Sequence, residues 1–513
     1  LSLSAVYEYT KGQSRSMYAR VKDLATTGND WYLLGNGTPD ESTSGFSEGF
    51  IQSYMGRANY SYAGKYLLTA TMRVDQSSVF TEENRTGYFP SGALAWVISK
   101  ESFLNNVDWI HNLKLRAGYG ETGNQAVGAY ATQSRVLLPP SYWDPYYYYT
   151  FNGIDISSGV LPQRSITDPN IRWETTVQTN LGIDFSVFNG KVSLTADYYN
   201  KVTKDVILAK SVPDYTGRDA VVSNYGEIAN SGFEFMAYWS VLDRGDFRLS
   251  LDANLSINRN KVVDLGDEEH IFVNENATGF GMWGYEPIFI VQKDQPLGLI
   301  YGIKSEGLWS EDEAEAAAAY NSYPGEHKYE DLDEDGAISQ TDRQVIGFTQ
   351  PDFTYGININ MLYKGFTLTI GGLGVYGNDI YNYNRHYLDK TMLNPEYENR
   401  WSPENPAATQ QRLPIGAQPS DVSIGSQYIE DGSFFKINNL TLSYNLPGQF
   451  LESLKIKNLN VFGSVNNLLT ITRYSGVDPE ASVTSLSSDS QSGIDSFSYP
   501  LSRTFTFGFK ASF

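Results

Sequence analysis

The chain is 513 residues long, with a net charge of −21 and no cysteine. The charge excludes a nucleic-acid partner, which needs a basic footprint. The missing cysteines exclude disulfides, thiolate catalysis and Cys-based metal sites. No run of about 18 apolar residues occurs, so helical membrane spans are excluded, but a β-barrel would not show in such a test.

Taken in order, strands with one apolar and one polar face recur. Successive side chains of a strand point to opposite faces. Leu1-Leu3-Ala5-Tyr7-Tyr9 alternates from the start, and Tyr54–Tyr62 leads through the 63–65 turn into Tyr66–Val74. Arg73 and Asp75 take the opposite parity, as do Lys114 and Arg116 within Leu113–Tyr119. Leu181–Val187 turns at Asn189-Gly190 into Val192–Tyr198; Asn-Gly is the strongest short hairpin signal. Phe233–Trp239 and Phe247–Ile257 follow, then Tyr355–Met361, a Lys364-Gly365 turn and Phe366–Ile370, then Leu440–Tyr444 and Leu459–Val465. The stripes number about sixteen and suit spanning strands of about 9–11 residues. In the final strand Phe505, Phe507, Phe509 and Phe513 share one face, while Thr506, Gly508, Lys510 and Ser512 share the other. A last strand ending in an aromatic residue reads as the assembly signal of outer-membrane proteins. The expected fold is therefore all-β, a transmembrane antiparallel β-barrel. Connections alternate between tight turns and long stretches (121–170, 202–230, 258–296, 310–350, 376–432, 470–500), which is the outer-membrane layout. A short helix is expected over Ser310–Tyr320, opened by Ser310 and the acids 311–313.

The sharpest local motif runs Asp331-Leu332-Asp333-Glu334-Asp335-Gly336 and ends at Asp342. Acids at positions 1, 3, 5 and 12 with glycine at 6 match calcium-loop spacing, and Ala337 would add a backbone carbonyl. Asp342 stands where an EF-hand has Glu. Asp331, Asp333, Asp335, Ala337 and Asp342 are thus expected to hold a structural Ca²⁺-like ion, against the plainer reading of a solvated acidic turn. Gly279-x-Gly281-x-x-Gly284 lacks the strand and helix that a dinucleotide site needs, so it is set aside. His111, His270, His327 and His386 show no metal spacing, and no nucleophile elbow is present. No enzyme activity and no catalytic cofactor are expected. Tyr142, Trp143, Tyr146, Tyr147, Tyr148 and Tyr149 form the most aromatic stretch. Flat aromatic faces can stack on sugar rings, or pack as a membrane girdle; the first reading makes them substrate-binding residues.

Longer phrases carry a family resemblance: Gly87–Ser91, Gly120-Glu121-Thr122-Gly123-Asn124, Gly374–Tyr381, Arg400–Pro406, Tyr428–Phe434 and Val465-Asn466-Asn467-Leu468. Together they resemble the carboxy-terminal barrel portion of SusC-like (RagA/SusC) TonB-dependent transporters of the Bacteroidetes outer membrane. The resemblance implies a barrel of roughly 22 strands, of which residues 1–513 supply the last part, with plug and amino-terminal extension elsewhere. It further implies a SusD-like surface lipoprotein lid, the TonB–ExbB–ExbD complex, the plug-bearing remainder and outer-membrane lipid as partners. Its imported substrates are oligosaccharides or, less often, peptides. A passive porin and a surface glycan-binding or adhesion protein are the rival readings.

Overall fold

The computed structural model describes residues 1–25, 33–133, 136–137, 149–151, 154–156, 161–162, 165–216, 220–274, 287–390, 400–412, 424–451, 456–480 and 493–513. Its main sheet follows chain order without a crossover. The strands are β1 (Ser2–Lys22), β2 (Thr38–Tyr62), β3 (Tyr66–Ser77), β4 (Thr86–Val97), β5 (Ile110–Asn124), β6 (Glu174–Val187) and β7 (Val192–Ser211). Then come β8 (Ala220–Arg244), β9 (Phe247–Asp264), β10 (Phe353–Tyr363), β11 (Phe366–Tyr376), β12 (Phe434–Asn445), β13 (Asn458–Thr472) and β14 (Thr504–Ser512). A short extra strand, Ser165–Thr167, lies parallel to Ala220–Val222. The fold class is all-β, the antiparallel sheet of a transmembrane barrel. Among the described residues the sheet has 15 strands, close to the about sixteen stripes read from sequence. Among the described residues no helix is long and apolar enough to cross a membrane.

Two compact units are distinguished: residues 1–96, 116–179 and 201–228, and residues 97–115, 180–200 and 229–513. In the first, register carries the alternation from strand to strand. Tyr7 faces Tyr54, Tyr54 faces Val74 and Val74 faces Tyr88, an apolar row. One step along, Glu8, Ser53, Asp75 and Gly87 form a polar row. Arg73 and Asp75 pair at 2.8 Å with Ser53 beside them, on the parity read from sequence. Tyr62, Tyr66 and Trp96 stack at the turn, with centroids 6.4 Å apart at each step. Such aromatic rows mark a membrane–water boundary. β1 and β2 pair with each other far beyond β3: Thr38–Phe50 of β2 have β1 as their strand partner, whereas β3 pairs from Ile51 onward.

In the second unit two rows cross six strands. Leu251, Ile359, Ile370, Leu440, Val465 and Phe505 follow one another in register. The adjacent row is Asp252, Asn358, Gly371, Asn439, Asn466 and Thr504. One face is hydrocarbon and the other is amide, hydroxyl and glycine, as a wall between lipid and a wet lumen requires. Phe505, Phe507, Phe509 and Phe513 are 61–82% exposed, an arrangement that water would not tolerate and lipid favours. The turn Lys364-Gly365 has φ of 46° and 87°, so both positions adopt the left-handed geometry of a tight hairpin. Asn189 (φ 56°) and Gly190 (φ 84°) do the same.

The long connections of this unit are not structureless. Residues His270–Asn274, Pro287–Gln292, Leu299–Ile303 and Arg343–Phe348 make a four-stranded sheet. Asp379–Asn382 pairs with Ile429–Asp431 on one side and Ile494–Asp495 on the other. Phe289, Ile300, Tyr381 and Ile494 are fully buried in a core of their own, with Tyr383, Ile424 and Tyr428 around them. Segments up to two hundred residues apart thus fold as one loop-built body.

Candidate functional site

The loop-built body positions the acidic motif. Its approach is the helix Ala314–Ala319, preceded by a single 3₁₀ turn, Glu311–Glu313. Ser310 and Glu313 form a reciprocal capping box, as the sequence implies. Lys328 Nζ, the backbone amide and the hydroxyl of Ser310 hold the Glu313 carboxyl down at about 2. Lys328 also lies 4.8 Å from the centre of the Trp309 ring. Tyr320, just after the helix, donates its hydroxyl to Asp331 Oδ2 at 3.0 Å.

In the motif, carboxylate oxygens of Asp331, Asp333 and Asp335 lie within 4.8 Å of one another. The backbone folds around them. Asp331 accepts from the amides of Asp335 (3.2 Å) and Gly336 (2.9 Å), and Asp335 accepts from Ala337 (2.8 Å). Gly336 at φ 85° makes the bend. Burial pushes the Asp331 carboxyl up, but the Gly336 amide, the Tyr320 hydroxyl and further amides outweigh it, holding it below the usual carboxylate range. Asp342 is completely buried, and its two oxygens accept from Leu332 and Ser339 amides at 2.7 Å each. Its carboxylate therefore ties the ends of the loop together. Three partly free carboxylates around one point, with the Ala337 carbonyl nearby in sequence, form a donor set suited to a hard cation.

Other expected positions fall differently. Tyr142, Trp143, Tyr146, Tyr147 and Tyr148 lie outside the described residues, as does Gly279–Gly284. Tyr149 opens the short strand Tyr149–Phe151, paired with Ile154–Ile156. Phe505, Phe507 and Phe509 stand on the outer row of β14, opposite Val465, Gly463 and Val461. Sequence reasoning missed two buried groups. His386 Nδ1 lies 2.7 Å from the Tyr381 hydroxyl, and its ring stacks on Tyr428. Lys436, 2% exposed, pairs with Asp478 at 3.2 Å and with Glu480. Tyr381 and His386 lie five residues apart in one connection, but no metal or catalytic spacing marks them, and Lys436 on β12 meets acids that the next long connection brings back.

Residues 3–468 match the family described as TonB dependent receptor-like, beta-barrel. The chain is 34% identical over 522 residues to TonB-dependent receptor P3 of Formosa agariphila, covering 100% of this chain and 50% of that relative. It is 29% identical over 483 residues to TonB-dependent receptor SusC of Bacteroides thetaiotaomicron, covering 92% and 45% respectively. The fold superposes on the RagAB peptide transporter with a TM-score of 0.80 at 22% identity, covering 100% of this chain and 53% of that one. The chain spans about half the length of the curated relatives it matches.

Proposed function

Because the chain belongs to the TonB-dependent receptor β-barrel family, we propose that it is the barrel part of an active importer of a nutrient oligomer across the outer membrane. Its location is the outer membrane, where this family's barrels reside. The observation that carries the reading is the 34% identity to a TonB-dependent receptor along the entire chain. The mechanism is binding and gating, with no bond made or broken in the substrate. An oligosaccharide is the proposed cargo, captured between surface loops and a SusD-like lipoprotein lid; TonB supplies the force that opens the path. Peptide cargo is the second reading, since the structurally similar RagAB is named a peptide transporter.

The test is deletion of the gene in its own host, followed by growth and uptake on single oligosaccharides and peptides. Loss of uptake of one oligomer, with the same loss on collapsing the proton-motive force in the parent, supports the proposal. Uptake that persists without energy points to a passive pore. Co-purification of a surface lipoprotein in mild detergent supports the lid.

A further inference from the structure

Away from the acidic motif, the loop-built body contains a cleft of about 490 Å³. That is within the range of small-ligand sites, roughly 300–1,000 Å³. Its walls come from the hairpin Ser305–Leu308 with His327–Tyr329, from the helix Tyr383–Lys390, and from residues 401, 406–409, 426 and 427. Among the described residues none that lines it is acidic, in a chain with 59 acids. Among the described lining residues the one cation is Arg385. Glu430 lies 3.7 Å from that guanidinium, and the same Glu430 oxygen also accepts from Asn382 and Ser475. The carboxylate is thus shared, and the guanidinium keeps donors for a ligand.

The other polar groups are neutral. Gln427 donates its amide to the Tyr329 hydroxyl at 3.0 Å, while its Oε1 is buried without a hydrogen-bond partner. In either orientation of the amide, one end of it lacks a mate. His327 has Ser305 Oγ at 3.3 Å, and its imidazole is held neutral to about pH 4 by burial and by the Arg385 charge, against a hydrogen bond with the Gly307 backbone. The rear wall is closely packed. Trp309 stacks with Tyr320 and has Lys328 over its ring, and Trp401 packs against Gly325, where a Cβ would come within 2.2 Å of the ring. A preformed site loses little entropy on binding.

Four main-chain donors on the hairpin side of the wall are already used. Ser305 donates to Ser426 Oγ (2.8 Å), Gly307 to Ser305 Oγ (3.3 Å), Trp309 to the Glu326 carbonyl (2.9 Å) and Ser310 to Glu313 (3.1 Å). Recognition of a peptide backbone by strand addition needs such groups free. On that side the cleft offers side chains, a guanidinium, an amide and small hydroxyls, which suit a ligand that both donates and accepts at each polar position. We infer that this cleft is a saccharide-binding subsite, taking one or two sugar rings through their hydroxyls, with Arg385 and Gln427 as its recognising residues. The inference rests on the import reading and deepens it by placing cargo contact in the loop-built body.

The experiment uses the full-length transporter purified in detergent. Titration calorimetry with maltohexaose, xylohexaose, cellohexaose and laminarihexaose is compared with hexaalanine. Binding of at least one hexasaccharide is expected, weakened by about tenfold or more in both Arg385→Met and Gln427→Leu, the loss expected for a hydrogen bond to a charged or buried group. Arg385→Lys keeps the Glu430 pairing and controls for folding, together with heat-modifiable mobility of each variant. Hexasaccharide affinity unchanged in both variants overturns the inference, and so does binding of hexaalanine alone or of no probe. Energised uptake measured on the same variants separates the two readings: uptake intact with the cleft disabled removes the subsite but leaves the importer standing.

Discussion

At the scale of single residues, charge burial decides the behaviour of the loop-built body. His327 has its proton affinity lowered to about 4 by burial, with the Arg385 charge adding to the effect and the Gly307 backbone opposing it. In the unfolded chain an imidazole titrates near 6.5. As pH falls through that value the unfolded state takes up a proton that the folded body refuses. Stability is therefore complete above about pH 6.5 and is lost as pH drops toward about 4, by up to about 3 kcal/mol. Limited proteolysis of the loops at graded pH should show rising cleavage across that window, and His327→Gln should flatten the profile. Unchanged pH dependence in the variant would assign the effect to other groups. Asp342 is buried as well, and its two oxygens accept from two amides of its own loop. Its place at the twelfth position is legible from spacing. Its clasping geometry is not, because a spacing rule says which residues meet and not which atoms they meet through.

At the scale of elements, legibility follows period. Strands β9 to β14 show one wet and one oily face, so alternation alone finds Phe247–Ile257 and Phe505–Phe513 and assigns their faces. The turns at Asn189-Gly190 and Lys364-Gly365 are legible because positive φ selects those residues. The small sheets are not. Leu299–Ile303 is buried along nearly all its length and so has no period, and Tyr381 finds Ile494 more than a hundred residues away. Two predictions belong here. The acidic loop should take up one calcium ion per chain, with oxygens of Asp331, Asp333 and Asp335 at about 2.3–2.6 Å. Calorimetry with calcium should show saturable binding that vanishes in the triple variant D331N/D333N/D335N; a structure in millimolar calcium with the three side chains splayed and no ion would refute it. The aromatic connection should touch cargo or the lid. Replacing Trp143, Tyr146 and Tyr148 by Ala should slow growth on the limiting oligomer at unchanged barrel abundance, since base-type aromatic stacking is worth roughly 1–3 kcal/mol per contact. Normal uptake and normal lipoprotein association in that variant would leave the stretch a packing element.

For the whole molecule, the last strand matters most. β14 pairs with β13 over Thr504–Ser512 and presents three phenylalanines outward, with exposed Phe513 just after it. Removing Phe505–Phe513 strips one strand from the lipid-facing row and leaves β13 with unmet backbone groups, which hydrocarbon does not tolerate. The truncated protein should be missing from the outer membrane. Folded, heat-modifiable protein at normal levels would contradict this.

The pairing of Tyr381 with Ile494 has a consequence in time as well as in space. Ile494 is fully buried in the loop core and lies only ten residues before β14 begins. The body that starts near His270 cannot complete its interior until the segment around Ile494 has joined it. Closure of long sequence loops is a slow step. The loop core and β14 thus draw on neighbouring stretches of chain, so a chain cut ahead of Ile494 should show an unfinished, protease-sensitive loop body.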